Sequence, residues 1–584
     1  MPFAEIDDRR DILVHDSYSC KELLGKMGAV WDRPSKSWRL VMTVANVEML
    51  LDRIPDLELA ADFDKFVQDQ IERERKLEAI VQMAKMDDPV GLRVAGLKMQ
   101  PYNYQKLGVM FAVTNGYGML LADEMGLGKT LQAITYCEFL RTKGKAEKCL
   151  IITPASLKYN WPIEIEKFTD APYVVIDSKY PDERIAQWLT EDAFFYVANY
   201  EIVLEDLFGG REYKIKKTDS PEVRERKERL AQNAAMRQRV LAGVRKRLWD
   251  VIVVDEAHGI KNPVSKRTKN IKALNGKFRM ALTGTPLDGR LEELHTVMGF
   301  VAPGLLGSRT KFLDRYAERD FFGAITGYRN VDQLRALIRP FFLRRLKKDV
   351  LKDLPDKVYE NRIVSFSAVE NRIYKELAEQ GHEMTAETEA MVAVLRCRQF
   401  CNWPPMIDPK CSSTSKMDSF VEVVVEVVGE NGHKALVFTQ YKEMLDIIAE
   451  KLEQLGFTYL RIDGDTPKQR RAEMQKEFNE GKHIDLMIGT EAMSTGLNFT
   501  AADYVINYDD SWAPSLMNQR SDRCHRIGQK NVVTVVSFIC RNTVESRVRQ
   551  VLKQKEDVTK QAVGDNIADF ELVGLKATDI VKLL

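Results

Sequence analysis

The chain has 584 residues, of which 45% are apolar, and 87 Lys and Arg against 86 Asp and Glu leave a formal net charge of +1. Its length allows about four domain-sized units, and its apolar fraction supports buried cores. No apolar run approaches the ~20 residues that span a bilayer, the start is not a signal peptide, and the eight cysteines contain no C-x-x-C pair, which argues against a membrane protein, a disulfide scaffold or a structural zinc site.

Residues 1–62 have the pattern of a small α+β module. Apolar spacing predicts a βαββαβ order over residues 11–15, 20–27, 28–32, 38–42, 44–54 and 57–60. Trp31 and Trp38 fall on paired strands, where we favour a core position because small domains need large apolar side chains. The alternative is a surface for branched or single-stranded DNA, with Lys36 and Arg39 beside it. Residues 63–90 are predicted to form a linking helix.

A glycine loop at residues 122–130, Ala-Asp-Glu-Met-Gly-Leu-Gly-Lys-Thr, follows a short buried strand and precedes a helix. Gly126 and Gly128 let the backbone turn tightly and direct N–H groups at phosphate, and the helix N-terminus adds positive potential. Lys129 would reach the β and γ phosphates of ATP, and the Thr130 hydroxyl would face Mg²⁺. Asp123 stands where such loops usually have their first glycine. A glycine-rich turn beside an exposed lysine is the alternative.

A basic stretch lies between residues 211 and 247, with thirteen Lys and Arg against five Asp and Glu. Its pattern is helical, within an expected insertion at about 205–248. One interpretation is a solvated charged helix, and the other is an arm that touches the DNA backbone.

The apolar run at 249–254 predicts a strand that brings Asp255 and Glu256 to the carboxyl edge of the same sheet, where ligands bind in open α/β folds. Asp255 would hold Mg²⁺ through water, and Glu256 would orient and deprotonate the attacking water. An acidic strand end is often only a solvated loop, but its place downstream of the phosphate loop favours the functional interpretation.

Residues 304–410 are predicted to be mostly helical. Its basic residues Arg344, Arg345, Lys347 and Lys348 fit ordinary surface charge or a coupling role equally well. Cys397, Cys401 and Cys411 have a spacing that fits no common zinc module.

The segment from Gln519 to Gln529 contains Arg523 and Arg526, which are three residues apart and would share one face of a helix. From that face both could reach the γ phosphate, where an arginine stabilises transition-state charge. In isolation, an arginine-rich helix is more often a solvated or DNA-facing surface. The tail, residues 546–584, is predicted to be a helical brace.

Further segments occur in a fixed order between these motifs: Pro101-Tyr-Asn-Tyr-Gln105, Ile151 to Trp161, Leu282-Thr-Gly-Thr-Pro286, Phe342-Leu-Arg-Arg-Leu-Lys347, Val437-Phe-Thr-Gln440, Ile462-Asp-Gly464 and Thr495-Gly-Leu-Asn498. With them the sequence resembles the SWI/SNF-type ATPases of helicase superfamily 2, over roughly residues 95 to 555. Gly28-Ala-Val-Trp-Asp32 and Lys36-Ser-Trp-Arg39 are similar to accessory modules of the fork-remodelling and annealing branch.

The resemblance implies an α/β fold with two RecA-like parallel-sheet lobes and helical insertions, after the small α+β module. We expect lobe 1 at 91–303, the helical insertion and connector at 304–410, and lobe 2 at 411–545. It also implies ATP and Mg²⁺ as cofactors and double-stranded or branched DNA as partner, with RNA less expected and no membrane. We expect a monomer in the cytoplasm, nucleoid-associated in a bacterium or nuclear in a eukaryote.

Residue roles follow from the same resemblance. Gln105 would read adenine, and Thr283 to Thr285 would couple the ATP state to lobe closure. Arg523 and Arg526 would be arginine fingers. The remaining nucleotide-binding positions are Asp123, Gly126, Gly128, Lys129, Thr130 and Gly496.

Four positions depart from the family pattern: Glu491 replaces a basic residue, Met493 and Ser494 replace glycines, and Ala513 lies between Trp512 and Pro514. Fewer close phosphate contacts are therefore expected from the second lobe. Two functions remain: an ATP-driven double-stranded DNA translocase, which we favour, and a nucleotide-gated DNA-binding clamp or adaptor without productive translocation.

Overall fold

The computed structural model divides the chain into two compact units, Met1–Val350 and Leu351–Leu584. It describes residues 2–6, 11–27, 29–32, 36–41, 44–60, 63, 68, 71–72, 75–80, 91–155, 157–209, 219–284, 291–319, 325–351, 354–382, 387–481, 483–494, 496–511 and 514–550. Within these residues, no helix is long and apolar enough to cross a membrane.

The N-terminal module is a five-stranded sheet carrying two helices. Its strands are β1 Phe3–Ile6, β2 Asp11–His15, β3 Val30–Asp32, β4 Ser37–Val41 and β5 Glu58–Leu59, and its helices are α1 Lys21–Lys26 and α2 Val44–Arg53. The sheet order is β3-β4-β2-β1-β5, so β3 is an edge strand. The predicted order of elements is found, with β1 added. Ile12, Val14, Leu24 and Leu50 are among the buried side chains that form its core.

The seven-stranded sheet of the first unit has the order β14-β6-β11-β10-β7-β9-β8. Its strands are β6 Gly118–Leu121, β7 Cys149–Thr153, β8 Tyr173–Ile176, β9 Phe195–Asn199, β10 Leu248–Val254, β11 Asn275–Leu282 and β14 Phe342–Leu343. Every pairing in this sheet is parallel. Val251 to Val254 have no solvent exposure, as expected for a strand covered by helices on both faces.

The helices of this unit after the N-terminal module are α3 Asn103–Asn115, α4 Lys129–Thr142, α5 Asn160–Phe168, α6 Pro181–Leu189, α7 Tyr200–Phe208, α8 Pro221–Val240, α9 Ala242–Lys246, α10 Lys266–Lys272, α11 Leu291–Val301, α12 Arg309–Tyr316, α13 Val331–Ile338 and α14 Lys347–Val350. A hairpin is formed by β12 Ala317–Arg319 and β13 Ile325–Tyr328.

The second unit contains a six-stranded parallel sheet with the order β15-β20-β19-β16-β18-β17. Its strands are β15 Lys357–Val364, β16 Ala435–Phe438, β17 Tyr459–Ile462, β18 Leu486–Gly489, β19 Tyr504–Asn507 and β20 Val533–Cys540. Its helices are α15 Ala368–His382, α16 Glu387–Asn402, α17 Ser415–Val424, α18 Lys442–Gln454, α19 Lys468–Glu480 and α20 Pro514–Ser521. The predicted fold class, parallel-sheet lobes after a small α+β module, is confirmed.

The region 304–410 contains helices α12 to α16. It supplies the hairpin β12–β13, the edge strand β14 of the first sheet and the edge strand β15 of the second, and the boundary between the units falls inside it, after Val350. Strands β14 and β15 are short or rich in polar residues, so their pattern did not indicate strands. The described parts of the linking helix are helical at 71–72 and 75–80, and a helix runs from Val544 to Gln550. Residues 81–90 and 551–584 lie outside the described residues.

Candidate active site

Three neighbouring strands of the first sheet bring the predicted ATP-site residues to one edge. Strand β6 leads into the glycine loop, β10 ends before Asp255, and β11, which lies between them, ends before Thr283. The three strands end within one residue of one another, since Ala281 lies opposite both Leu120 and Val254. The carboxyl edge of the sheet therefore places the glycine loop beside the acidic pair. Thr285 lies outside the described residues.

The glycine loop has the backbone that phosphate binding needs. Gly126 and Gly128 have φ angles of 86° and 73°, in the left-handed region that glycine adopts without strain. A Cβ at Gly128 would lie 2.4 Å from Nε2 of Gln105. Helix α4 begins at Lys129, so the helix N-terminus points into the loop. Lys129 Nζ donates to the carbonyl of Asp123 at 2.8 Å, which keeps the ammonium group against the loop.

Gln105 lies behind this loop with 1% of its surface exposed. Its Nε2 donates to the carbonyl of Leu127 at 3.1 Å, and its Oε1 accepts from the backbone N–H of Tyr102 at 3.0 Å. Both ends of the amide already have protein partners, so Gln105 shapes the loop directly.

The Asp123 carboxylate is fully buried and turned away from Lys129. It accepts hydrogen bonds from the Arg345 guanidinium and from Gln132. The sequence alone left two interpretations of Arg345 open, ordinary surface charge or a coupling role. In the structure it is a buried partner of the phosphate loop. The sequence did not show this pairing because 222 positions separate the two residues.

Asp255 is held by three donors. Its Oδ1 accepts from the backbone N–H of Glu256 at 2.9 Å, and its Oδ2 accepts from Trp161 Nε1 at 2.9 Å and from Thr153 Oγ1 at 3.2 Å. Burial, followed by the adjacent charge of Glu256, raises the pKa of Asp255 to about 6, and the bond from Trp161 opposes this rise. The sequence places Trp161 in a motif but gives no sign that it donates to Asp255.

Glu256 has an unusual backbone, with φ at 48° in a non-glycine residue. The Tyr200 hydroxyl supports this turn by donating to the carbonyl of Asp255 at 2.7 Å. Burial, with the nearby Asp255 charge, raises the pKa of Tyr200 well above its usual range, so it remains a donor. His258 Nδ1 lies 3.2 Å from Glu256 Oε2. The Glu256 side chain is 18% exposed and accessible to water.

In the second unit, helix α20 ends at Ser521, so the predicted helix through Arg523 and Arg526 is wrong. Both arginines lie in the turns that follow. Arg523 is buried and donates through Nη1 to the carbonyl of Leu497 at 3.2 Å, next to Gly496, whose φ is 71°. Arg526 is partly exposed. The two side chains therefore do not share a helical face.

Glu491, which replaces a basic residue of the family pattern, forms an ion pair with Arg520. Arg520 is fully buried and also donates to Asn507 Oδ1 at 3.1 Å and to the carbonyl of Asp509 at 2.9 Å. The acidic substitution is thus neutralised inside the second unit.

Trp31 and the basic helix α8, for which DNA contact is one of two interpretations, are both exposed. Trp31 has 47% of its surface exposed on edge strand β3, so its predicted core position is wrong, whereas Trp38 is partly buried. Lys311 Nζ lies 5.3 Å from the Trp38 ring and attaches the module to helix α12. The basic helix α8 is largely exposed, with Lys227 paired to Asp219 at 2.7 Å.

The described cysteines include one group that was not predicted. Cys401 and Cys540 lie with Glu545 so that their ligand atoms are all within 4.8 Å of one another. Glu545, however, already accepts from the buried Lys416 ammonium at 2.7 Å and from the Cys540 N–H at 3.0 Å. Because the Lys416 ammonium already binds the Glu545 carboxylate, this group of residues does not suit a metal ion.

Comparison with known proteins gives two family matches, an SNF2-related domain at residues 102–406 and a helicase conserved C-terminal domain at 415–528. An uncharacterised ATP-dependent helicase of Mycoplasma pneumoniae is 31% identical over 80% of this chain and 43% of its own length. A putative ATP-dependent helicase/translocase of Bacillus subtilis is 31% identical over 79% and 48%, respectively. The chain thus spans less than half the length of these relatives.

Among solved structures, the SWI2/SNF2 ATPase core of Sulfolobus solfataricus in complex with dsDNA is 27% identical. The match has a TM-score of 0.39 and covers 83% of this chain and 99% of that chain.

Proposed function

This chain belongs to the SNF2-related family of superfamily 2 helicases, and on that premise we propose that it is a DNA-stimulated ATPase that translocates along double-stranded DNA. Fork remodelling, annealing and protein displacement are the uses that such movement serves. The observation that carries the proposal is the placement of Lys129, Asp255 and Glu256 at one sheet edge, after strands β6 and β10, which both pair with β11.

The loop residues bind the triphosphate. The N–H groups around Gly126 and Gly128 and the start of α4 receive phosphate oxygens. Lys129 exchanges the carbonyl of Asp123 for the β and γ phosphates, where its charge offsets the charge that develops during transfer. Gln105 supports the loop through its bond to the Leu127 carbonyl, and we assign it to the adenine end of the site.

The oxygen ligands present fit Mg²⁺, which prefers carboxylates, hydroxyls and water. Thr130, in the first turn of α4, and Asp255 would hold the ion, which when bound neutralises phosphate charge. Glu256 takes the proton of the attacking water, since its side chain has access to solvent and its backbone is fixed by the Tyr200 hydroxyl bond to the preceding carbonyl.

The second unit contributes the arginines. We assign Arg523 and Arg526 to the γ phosphate and Gly496 to the close approach of backbone to nucleotide. Since Arg523 is buried against the Leu497 carbonyl, it would also position the turn, and the more exposed Arg526 is the better candidate for direct contact.

Duplex or branched DNA is the proposed partner, and RNA is the less expected one. The exposed face of α8 and the exposed Trp31 ring supply a basic surface and a stacking surface, which are the two chemistries that nucleic acids require. We propose that the protein acts as a monomer, because one chain contains all the catalytic groups named above.

ATP turnover with and without duplex DNA, single-stranded DNA and RNA tests this function. The translocase predicts turnover that duplex DNA stimulates, whereas a nucleotide-gated clamp would hydrolyse little ATP under any condition. Lys129→Ala should abolish turnover, while Glu256→Gln and Arg526→Ala should still bind ATP but turn over slowly. Lys277→Ala, at an exposed lysine paired with Asp250, is the control and should be unaffected. Normal turnover by Glu256→Gln would contradict the assignment of the base.

A further inference from the structure

The short strand β14 continues beyond the sheet as a backbone support for the phosphate loop. Leu343 pairs with Leu121 in the sheet. The Ala122 N–H then donates to the carbonyl of Leu343 at 2.8 Å, and the Glu124 N–H donates to the carbonyl of Arg345 at 3.0 Å. The chain from Leu343 to Arg345 therefore runs alongside the first half of the loop. It leads into the second unit, which begins six residues after Arg345, at Leu351.

The Arg345 side chain adds a second attachment. Its Nε donates to Asp123 Oδ1 at 3.0 Å, and its Nη2 donates to Asp123 Oδ2 and, at 2.6 Å, to Gln132 Oε1. Its Nη1 donates to the carbonyl of Tyr104, whose ring centroid is 5.3 Å from Cζ. One guanidinium group thus joins the loop to helices α3 and α4.

This network is buried. Arg345 is 6% exposed, and Asp123 and Gln132 are 0% and 2% exposed. A Cβ on Gly108 of helix α3 would lie 2.1 Å from Gln132 Oε1 and 2.9 Å from Arg345 Nη2. Only glycine at that position allows the helix to approach the ion pair this closely.

Asp123 connects the network to the catalytic lysine. Its carboxylate is bound by Arg345, while its own carbonyl accepts from Lys129 Nζ at 2.8 Å. A bidentate arginine–carboxylate pair fixes orientation as well as distance. Arg345 therefore holds the residue whose carbonyl receives the Lys129 ammonium.

We infer that Arg345 is a positioning residue for ATP hydrolysis, holding the phosphate loop through Asp123 and linking it to the segment that leads to the second unit. The inference rests on the proposed ATPase function. Any movement of that segment that displaces Arg345 would therefore move the loop with it.

The test is Arg345→Lys in the full chain, because lysine keeps the charge but loses the planar fork. We expect kcat/KM for ATP to fall by about 10- to 100-fold, since small misplacements of catalytic groups have effects of that size. KM should rise, and the affinity for a fluorescent ATP analogue, measured without DNA, should weaken.

A matched control comes from Arg184, another buried arginine that binds Asp206 through Nε and Nη2 at 3.0 and 2.8 Å in the same unit. Arg184→Lys should lower the melting temperature by a similar amount and leave the ATP parameters unchanged. Equal effects of the two variants on kcat/KM, or a wild-type KM in folded Arg345→Lys, would overturn the inference.

If Arg345→Lys does not fold, the double variant Asp123→Asn, Arg345→Gln replaces it, because this variant buries no unpaired charge. It should fold and show the same raised KM, and a wild-type KM would overturn the inference. Absence of ATP binding in the wild-type protein would refute the proposed function itself, which is a different result from a wild-type enzyme that Arg345→Lys leaves unchanged.

Discussion

Replacing Trp161 by phenylalanine removes one hydrogen bond from the acidic pair and keeps an aromatic ring in the core. Trp161 is 1% exposed and donates its Nε1–H to Asp255 Oδ2 at 2.9 Å. The remaining donors to Asp255 are the Glu256 N–H and the more distant Thr153 hydroxyl. Trp161→Phe therefore leaves the carboxylate with one fewer donor while burial and the Glu256 charge still disfavour its ionisation.

A hydrogen bond to a charged acceptor is worth about 1.5–3 kcal/mol, which corresponds to about one to two pH units in the ionisation of the acceptor. Because the Asp255 carboxylate must be ionised to hold Mg²⁺, activity should rise with pH through its pKa. In wild-type protein that rise should lie near the Asp255 pKa of about 6. We expect Trp161→Phe to move the acid limb of kcat/KM for ATP upward by about one to two pH units, measured between pH 5 and 9.

Trp188→Phe provides the control. Trp188 is fully buried in the same unit and donates its Nε1–H to another carboxylate, Asp206 Oδ2, at 3.0 Å. It should lose comparable stability, since the same atoms are removed, without moving the acid limb. A folded Trp161→Phe protein with the wild-type pH profile would refute the assigned role of the Trp161–Asp255 bond.

Three further results are expected. Glu256→Gln should raise the melting temperature of the ligand-free protein at pH 8 but not at pH 4, since the repulsion of Asp255 exists only when both carboxylates are ionised; equal melting temperatures at pH 8 would contradict this. Reversing Arg237 and Arg239 on α8 should weaken DNA-stimulated ATPase more than basal ATPase, and equal losses would remove the proposed DNA contact. Trp31→Ala should reduce affinity for single-stranded DNA in a fluorescence anisotropy titration by about 1–3 kcal/mol with little loss of stability, because the ring is exposed; unchanged affinity would exclude stacking.

Local signals in the sequence predict the strands that carry the candidate ATP-site residues. Buried apolar runs form β6 and β10, each ends at its motif, and the parallel sheet brings strand ends to one edge. Gly126 and Gly128 have the positive φ angles that a tight phosphate loop requires.

The supporting contacts could not be predicted because they join distant residues. Trp161 and Asp255 are 94 positions apart, and Arg345 and Asp123 are 222 apart. A buried arginine and a surface arginine have the same letter, and no local spacing distinguishes them. The exposure of Trp31 could not be predicted for a similar reason. Strand β3 lies at the edge of its sheet, and the apolar pattern of a strand does not show its place in the strand order.

The prediction of a helix through Arg523 is wrong for a local reason that only the atomic structure shows. The Arg523 Nε donates to the carbonyl of Gln519 at 3.3 Å, and the Ser521 hydroxyl donates to the carbonyl of Asn518 at 3.0 Å. These side chains take carbonyls of the last helical turn, so the helix ends although its residue spacing is helical.

The fold disfavours two features of the acidic pair, namely the left-handed backbone of Glu256 and the ionised form of Asp255. A non-glycine residue in the left-handed region, as at Glu256, costs about 1–2 kcal/mol. For Asp255, a pKa of about 6 against an ordinary 3.8 corresponds to a penalty of about 3 kcal/mol for its ionised form. This penalty grows as pH rises from 3.8 to 6 and is fully present above, because the folded acid then binds its proton more tightly than the unfolded one. A bound cation would relieve it, so the same features that lower stability would contribute to binding of the metal ion.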